Sequence, residues 1–339
     1  MKTKLASEPA VYGFMTAEQQ EFRKRFPDYV KDLPQHSFLD AESFKIEGYF
    51  VGQNIGSIVM RVSDKSGTYV VKSILETKKL ETECVFLKKW QEAGASTLRV
   101  LDFIKPAEAF PIACTIFEYV PEDTTEDRLE NEDREVWLST YEDLGRNLAL
   151  MHKTKGGGYG EVVDTDKLKG KHSSFLEEQS SYFIPNLFEN LLNAKLILEE
   201  DFLLVKKAIE IIDKDIKSGT WPTLLHNDAG IHNTFGILKI KIFDPDPYIS
   251  HPALDLALAS IWTCLYGNSR QLQGSLLGGY RLVGSYNDTI LQASIYLCIL
   301  RKWEWWLHRG KSDSNALVWI EQTKTIYDEA REKIKLYTV

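Results

Sequence analysis

The residues best placed to do chemistry in this 339-residue chain lie between Leu225 and Asp255, in the run LHNDAGIHNTFGILKIKIFDPDPYISHPALD. His226, Asp228 and Asn233 stand close together, and a β-prone segment from Ile237 to Phe243 ends on Asp244. Transfer of a phosphoryl group to a hydroxyl needs alignment, charge neutralisation and a place for the leaving proton. Asp228 suits the last task, because an ordinary carboxylate is ionised at neutral pH and accepts a proton as the bond to phosphorus forms. Asn233 and Asp244 offer one neutral and one charged oxygen. Mg²⁺ tolerates such a pair when phosphate oxygens and waters complete its octahedron. His226 reads as support, packed behind the loop and bonded to backbone near Asp244, and His232 is the alternative base. Singly, each residue has an ordinary reading, since Asp, Asn and the Asp244-Pro-Asp-Pro run are turn formers. The joint spacing sets them apart.

Such a cluster needs elements that hold phosphates against it. From Phe44 the pattern reads as three strands, near 44–51, 58–62 and 68–74, with turns at 52–57 and 64–67. Gly52, Gly56 and Ser57 mark a turn whose backbone N–H groups could approach phosphates closely, although a glycine hairpin alone is more often only a hairpin. Lys72 lies among Val70, Val71 and Ile74. A buried ammonium needs a partner unless it snorkels from an edge strand. The helix expected over 80–93, with Leu80, Cys84, Leu87 and Trp90 at helical spacing, offers Glu81 and Glu83. Two further strands follow at 100–104 and 112–120.

After an acidic stretch at 122–134, residues 136–152 have the apolar spacing of a helix. The glycine run 156–160 reads as a connector, and 171–218 as mainly helical. The C-terminal part is helical and aromatic. Its tryptophans and tyrosines beside Glu304 could cage a quaternary ammonium or stack on a sugar, but packing between helices is the plainer reading.

With 43% hydrophobic and 12% aromatic residues the chain can bury a real core, and its length suits two lobes. No apolar run reaches the roughly 18 residues of a membrane span, and the N-terminus lacks an apolar signal segment. Four well-separated cysteines read as reduced, buried thiols of a cytoplasmic protein. A net charge of −8 argues against nucleic acid and is compatible with a cationic small substrate.

The order His226-x-Asp228, Asn233 five residues on, then a strand ending in Asp244, resembles the catalytic core of the aminoglycoside phosphotransferase superfamily. That superfamily includes choline and fructosamine kinases and shares its fold with protein kinases. Leu144-Gly-Arg-Asn-Leu-Ala-Leu-Met-His152 and Pro252-Ala-Leu-Asp255-Leu-Ala are similar to two more of its motifs, and Glu83 stands in its Glu-x-x-x-Leu helix pattern. Asn227, where the family usually has glycine, and Ala229 depart from it. The resemblance implies an α+β, two-lobed protein-kinase-like fold. Its small lobe would be a five-stranded antiparallel sheet with one helix, and its larger lobe mainly helical. It divides the chain into an N-terminal arm (1–40), a nucleotide-binding lobe (41–120) and a catalytic lobe (121–339). It makes Lys72, paired with Glu83, the phosphate lysine and Glu118, Tyr119 and Val120 the hinge whose backbone meets the base of ATP or GTP. Asp228 becomes the base, Asn233 and Asp244 the Mg²⁺ ligands, and Asp255 a helix cap or loop brace.

The activity implied is phosphorylation of a small-molecule hydroxyl on an aminoglycoside-like, sugar or amino-alcohol acceptor, in antibiotic resistance or in metabolism. A protein kinase is disfavoured, because Asp255 follows Asp244 within eleven residues and leaves no room for an activation segment. A nucleotide-binding scaffold without turnover is the other alternative. Neither the acceptor nor the oligomeric state is written in the sequence.

Overall fold

The computed structural model describes residues 5–12, 15–51, 56–183, 185–266, 269–309 and 315–337. Gly52 and the three residues after it lie outside the described residues.

The first lobe is an antiparallel sheet built from β1 (Leu5–Ala6), β2 (Lys45–Phe50), β3 (Ser57–Asp64), β4 (Gly67–Ile74), β5 (Val100–Ile104) and β6 (Cys114–Glu118). Their order is β1-β2-β3-β4-β6-β5. Among the described residues six strands stand in place of the five expected. The extra one, two residues long, comes from the N-terminal arm and pairs Leu5 with Phe50 and Ala6 with Tyr49 at the sheet edge. Two residues carry no readable alternation, so only tertiary pairing reveals them as a strand.

Helix α1 (Ala17–Val30) opens with a capping box in which Thr16 and Gln19 exchange side-chain and backbone bonds. It lies on one face of the sheet. Its Phe26 and Val30, with Leu33 beyond it, are fully buried in one core cluster with Met60, Val62, Val71 and Ile116. Each such burial contributes about 1.5–3 kcal/mol. Arg23 on the same helix donates to the carbonyls of Ala10 (2.9 Å) and Ser57 (2.6 Å), so the arm is tied to the strand that follows the glycine turn.

Helix α2 (Thr77–Glu92) packs on the other side, its Leu80, Phe86, Leu87 and Trp90 wholly buried. Most of this face belongs to the core of the second lobe. Just after α2, Leu98 N–H donates to the Ile242 carbonyl (2.8 Å) and Ile242 N–H to the Ser96 carbonyl (3.0 Å). Ser96 N–H also reaches Asn147 Oδ1 at 2.7 Å.

The second lobe begins with α3 (Thr125–Leu129) and α4 (Arg134–Met151). The glycine run expected as a connector instead leads directly into a strand, β7 (Tyr159–Asp164). With β8 (Lys169–His172), β9 (Thr223–Leu225) and β12 (Tyr248–Ser250) it forms a second sheet, ordered β8-β7-β12-β9. Gly158 and Gly160 sit at φ +70° and +95°, a conformation that glycine adopts without strain. The helical region that follows divides into α5 (Phe175–Tyr182), α6 (Pro185–Asn193) and α7 (Asp201–Lys217). A short hairpin, β10 (Thr234–Phe235) and β11 (Lys241–Ile242), precedes β12. Helices α8 (Pro252–Thr263), α9 (Ser269–Arg281), α10 (Asp288–Arg309) and α11 (Asn315–Leu336) complete the lobe.

Helices α4 and α9 cross closely at two glycines. A methyl group on Gly145 would fall 1.9 Å from the Leu276 carbonyl oxygen, and one on Gly279 would fall 1.8 Å from that of Glu142. The glycine of the Leu144-Gly motif is therefore a packing requirement. The architecture is α+β and two-lobed, a small antiparallel sheet beside a larger, mainly helical lobe.

Candidate active site

A cleft of about 1210 Å³ runs between the lobes, lined on the sheet side by Gly56, Ser57, Lys72 and Glu83 and on the helical side by Asp228, His232, Asp244 and Lys302. Its helical side is organised by the loop from β9 to the hairpin. Asp255, in the first turn of α8 and wholly buried, accepts the backbone N–H groups of His226 and Asn227, both at 2.7 Å. His152 Nε2 lies 3.3 Å from the same carboxylate, and its Nδ1 lies 2.9 Å from the Tyr280 hydroxyl. The cap of α8 is His251, whose Nδ1 accepts Ala253 N–H. Of the two roles open to Asp255, the geometry shows the loop brace.

His226 is fully buried, stacks on Trp90 of α2 with centroids 6.1 Å apart, and its Nε2 lies 2.9 Å from the Phe243 carbonyl. It joins the loop to the residue before Asp244. Asn227 has φ +61°, the left-handed region that glycine and asparagine tolerate best, and it donates to Asp246 Oδ2 at 3.2 Å. This backbone requirement accounts for asparagine at a position where the resembled family usually has glycine.

Asp228 is met by three side chains. Asn233 Nδ2 donates to its Oδ2 at 3.1 Å, His232 Nε2 lies 3.4 Å from the same oxygen, and Lys302 Nζ approaches Oδ1 at 3.3 Å. Burial pushes the carboxyl pKa up, but Lys302 and the hydrogen-bonded His232, with His226 behind, outweigh it and hold Asp228 well below the usual carboxylate range. Asn233 uses its amide nitrogen on Asp228, which leaves its oxygen as a donor atom for a cation.

The hairpin brings Asn233 and Asp244 to its open end. Thr234 pairs with Ile242, and Phe243 N–H donates to the Asn233 carbonyl at 3.0 Å. Asp244 adopts φ +55° and faces the sheet, where Lys72 Nζ lies 2.5 Å from its Oδ1 and 2.7 Å from Glu83 Oε2. Burial disfavours the Lys72 ammonium, yet the two carboxylates raise its pKa above the ordinary lysine value. Burial pushes the Glu83 carboxyl up, to about 7, against the pull of Lys72. A buried, doubly paired lysine excludes the snorkelling alternative.

An amide oxygen and a carboxylate at one hairpin mouth suit a hard cation that keeps waters and phosphate oxygens. Among the described residues no group of three or more His, Cys, Asp or Glu forms a denser metal cage. Gly56 faces open space, since a methyl group there would meet nothing within 4 Å, and Ser57 lies buried at the start of β3.

The structure does not bring Glu118, Tyr119 or Val120 into the lining of the cleft. The Glu118 carboxylate accepts from Lys241 Nζ (2.7 Å) and Arg99 N–H (3.0 Å), and the Tyr119 hydroxyl accepts from Arg61 (3.2 Å). Among the cleft residues that escaped the sequence reading are Arg301 and Lys302, adjacent on α10. The available signal was two cations directly after the almost wholly buried stretch 295–300, where charge is costly unless a cleft receives it.

No protein-family model matches the chain, and no curated protein matches it. Solved structures do. An aminoglycoside phosphotransferase structure from Ralstonia eutropha is 14% identical and superposes with a TM-score of 0.58 over 92% of this chain and 99% of its own. A thermostable mutant of aminoglycoside phosphotransferase APH(4)-Ia, in ternary complex with AMP-PNP and hygromycin B, is 13% identical with a TM-score of 0.60, over 87% and 96%. A microcompartment-associated aminopropanol kinase is 14% identical with a TM-score of 0.57, over 91% and 98%. Identities this low speak for the fold alone, and that fold is the two-lobed protein-kinase-like one on which these small-molecule kinases are built.

Proposed function

We propose that this protein transfers the γ-phosphoryl group of ATP or GTP to a hydroxyl of a small molecule. The observation that carries the reading is the meeting, across one cleft, of Asp228 with the Asn233–Asp244 hairpin and the Lys72–Glu83 pair. The nucleotide phosphates would lie along Gly56, Ser57 and Lys72, and the acceptor against Asp228. In the transfer an oxygen–phosphorus bond to the acceptor forms and the bond from the γ-phosphorus to the β,γ-bridging oxygen breaks. The hydroxyl proton passes to Asp228, and the nucleoside diphosphate leaves with the electron pair. Asn233 and Asp244 would hold Mg²⁺, which when bound supplies neutralisation of phosphate charge. His226 and Asp255 position the loop, and Lys302, 3.3 Å from Asp228, would meet an incoming phosphoryl group there.

The solved neighbours support the reading, since one of them holds AMP-PNP beside hygromycin B. The test is Asp228→Asn, which keeps the shape and removes the base. Release of diphosphate product should fall by roughly 10²–10⁴-fold, with nucleotide affinity near that of the unaltered protein. Unchanged turnover removes Asp228 as the base. Nucleotide binding without turnover of any acceptor favours the scaffold reading.

A further inference from the structure

The acceptor end of the cleft carries two adjacent cations, Arg301 and Lys302. Four carboxylates around the cleft are engaged by the protein itself. Glu126 accepts the Tyr266 hydroxyl at 2.7 Å, and Glu304 meets His308 Nε2 at 2.7 Å and Asn190 Nδ2 at 3.3 Å. Asp246 is paired with Lys79 at 2.7 Å, and Asp228 with Lys302.

Arg301 is different. Its guanidinium lies 3.7 Å from the centre of the Tyr182 ring, it lines the cleft, and no described residue forms an ion pair or hydrogen bond with it. The carboxylate that bears on its charge is Glu178, which is wholly buried. That carboxylate spends Oε2 on the Ser250 hydroxyl at 2.7 Å and has no partner for Oε1. Burial pushes the Glu178 pKa up, against the pull of the Ser250 hydroxyl and of Arg301 itself.

Three aromatic faces that could have caged a cationic acceptor are already used. Lys302 Nζ lies 5.1 Å from the Trp262 ring centre and 5.4 Å from that of Trp305, and Arg301 covers Tyr182. A cationic group entering here would meet two resident cations on their own π-faces. A planar guanidinium without a partner is a ready fork for a carboxylate or a similar compact anion.

We propose that the acceptor is an anionic hydroxy compound, whose acidic group binds Arg301 while its hydroxyl lies against Asp228. This rests on the phosphotransfer reading for the role of Asp228, but the recognition of charge is independent of it. It reverses the expectation that net charge alone encourages.

The test is direct titration of the full chain with two matched triads, in the presence of ADP and Mg²⁺ so that no transfer can occur. One triad is 3-hydroxypropanoate, propane-1,3-diol and 3-aminopropan-1-ol; the other is glucuronate, glucose and glucosamine. The anionic member of at least one triad should bind about tenfold or more tightly than its neutral and cationic counterparts. Arg301→Gln should remove that preference and Arg301→Lys restore part of it. Silence from both triads, binding of a neutral or cationic member as tightly as the anionic one, or a preference that survives Arg301→Gln overturns the proposal. The ordering in the unaltered protein needs no variant to fold. Because binding is read without turnover, Arg301-dependent binding with no phosphorylated product would sink the kinase reading alone. Turnover of a neutral or cationic alcohol with no anion preference would sink this one alone.

Discussion

Asp255 offers the sharpest test of how the loop around Asp228 is held, because it can be read without knowing the acceptor. Its carboxylate is wholly buried and accepts two backbone N–H groups at 2.7 Å, those of His226 and Asn227. A hydrogen bond to a charged acceptor contributes about 1.5–3 kcal/mol, so two contribute about 3–6 kcal/mol. Asp255→Ala loses both and leaves two buried donors without acceptors, but it also removes a buried charge and the cost of burying it. The expected net loss is about 2–4 kcal/mol. Asp255→Asn keeps one acceptor oxygen and turns an amide N–H toward the other donor, so its loss should be smaller, about 1–3 kcal/mol. Urea denaturation measures the totals, and hydrogen exchange at the amides of residues 226 and 227 locates them. Both amides should exchange faster in the alanine variant under conditions where the core stays protected. A loss below about 1 kcal/mol for Asp255→Ala, with unchanged exchange at those two amides, would refute the brace and leave Asp255 as merely a first-turn helix residue.

Two further perturbations address the two sides of the cleft. Gly56→Ala meets no atom within 4 Å, so thermal stability should hold while nucleotide affinity falls by about tenfold; an unchanged nucleotide Kd would mean that phosphates do not approach this turn. Lys302→Met removes a cation 3.3 Å from Asp228, so the carboxyl pKa must rise. Stability that the depressed carboxyl supplies above its unfolded pKa, and loses as pH falls, should shrink with it. Urea denaturation across acid pH reads that loss, and a pH dependence of stability unchanged from the unaltered protein would deny Lys302 its hold on Asp228.

How much of this was legible in the sequence depended on chain distance. His226, Asp228, Asn233, Asp244 and Asp255 are brought together by one loop, one hairpin and one helix start, so their spacing alone suggested a common site. Lys72 was readable because an ammonium in a β-branched run demands a carboxylate, and α2 offered two. Arg301 and Lys302 were not readable as site residues. Seventy-odd positions separate them from Asp228, and only the packing of α10 against α8 turns them to the cleft. The same holds for the arm. Phe26, Val30 and Leu33 fall within the N-terminal arm, and the sheet face that buries them lies far along the chain. The strand at β7 was hidden by glycines, whose low strand preference is overridden by pairing with β8 and β12.

The pairing of the segment after α2 with Ile242 bears on control. Kinases that respond to signals commonly do so by moving the helix that carries the glutamate, so that the lysine loses its partner until a second event restores it. In this chain the segment that follows that helix is stitched, backbone to backbone, to the strand that delivers Asp244. Swinging Glu83 outward would tear Asp244 from its place, and Trp90 of the same helix is stacked on His226. A site assembled this way ties the position of Glu83 to that of Asp244, so the two sides of the cleft move as one piece.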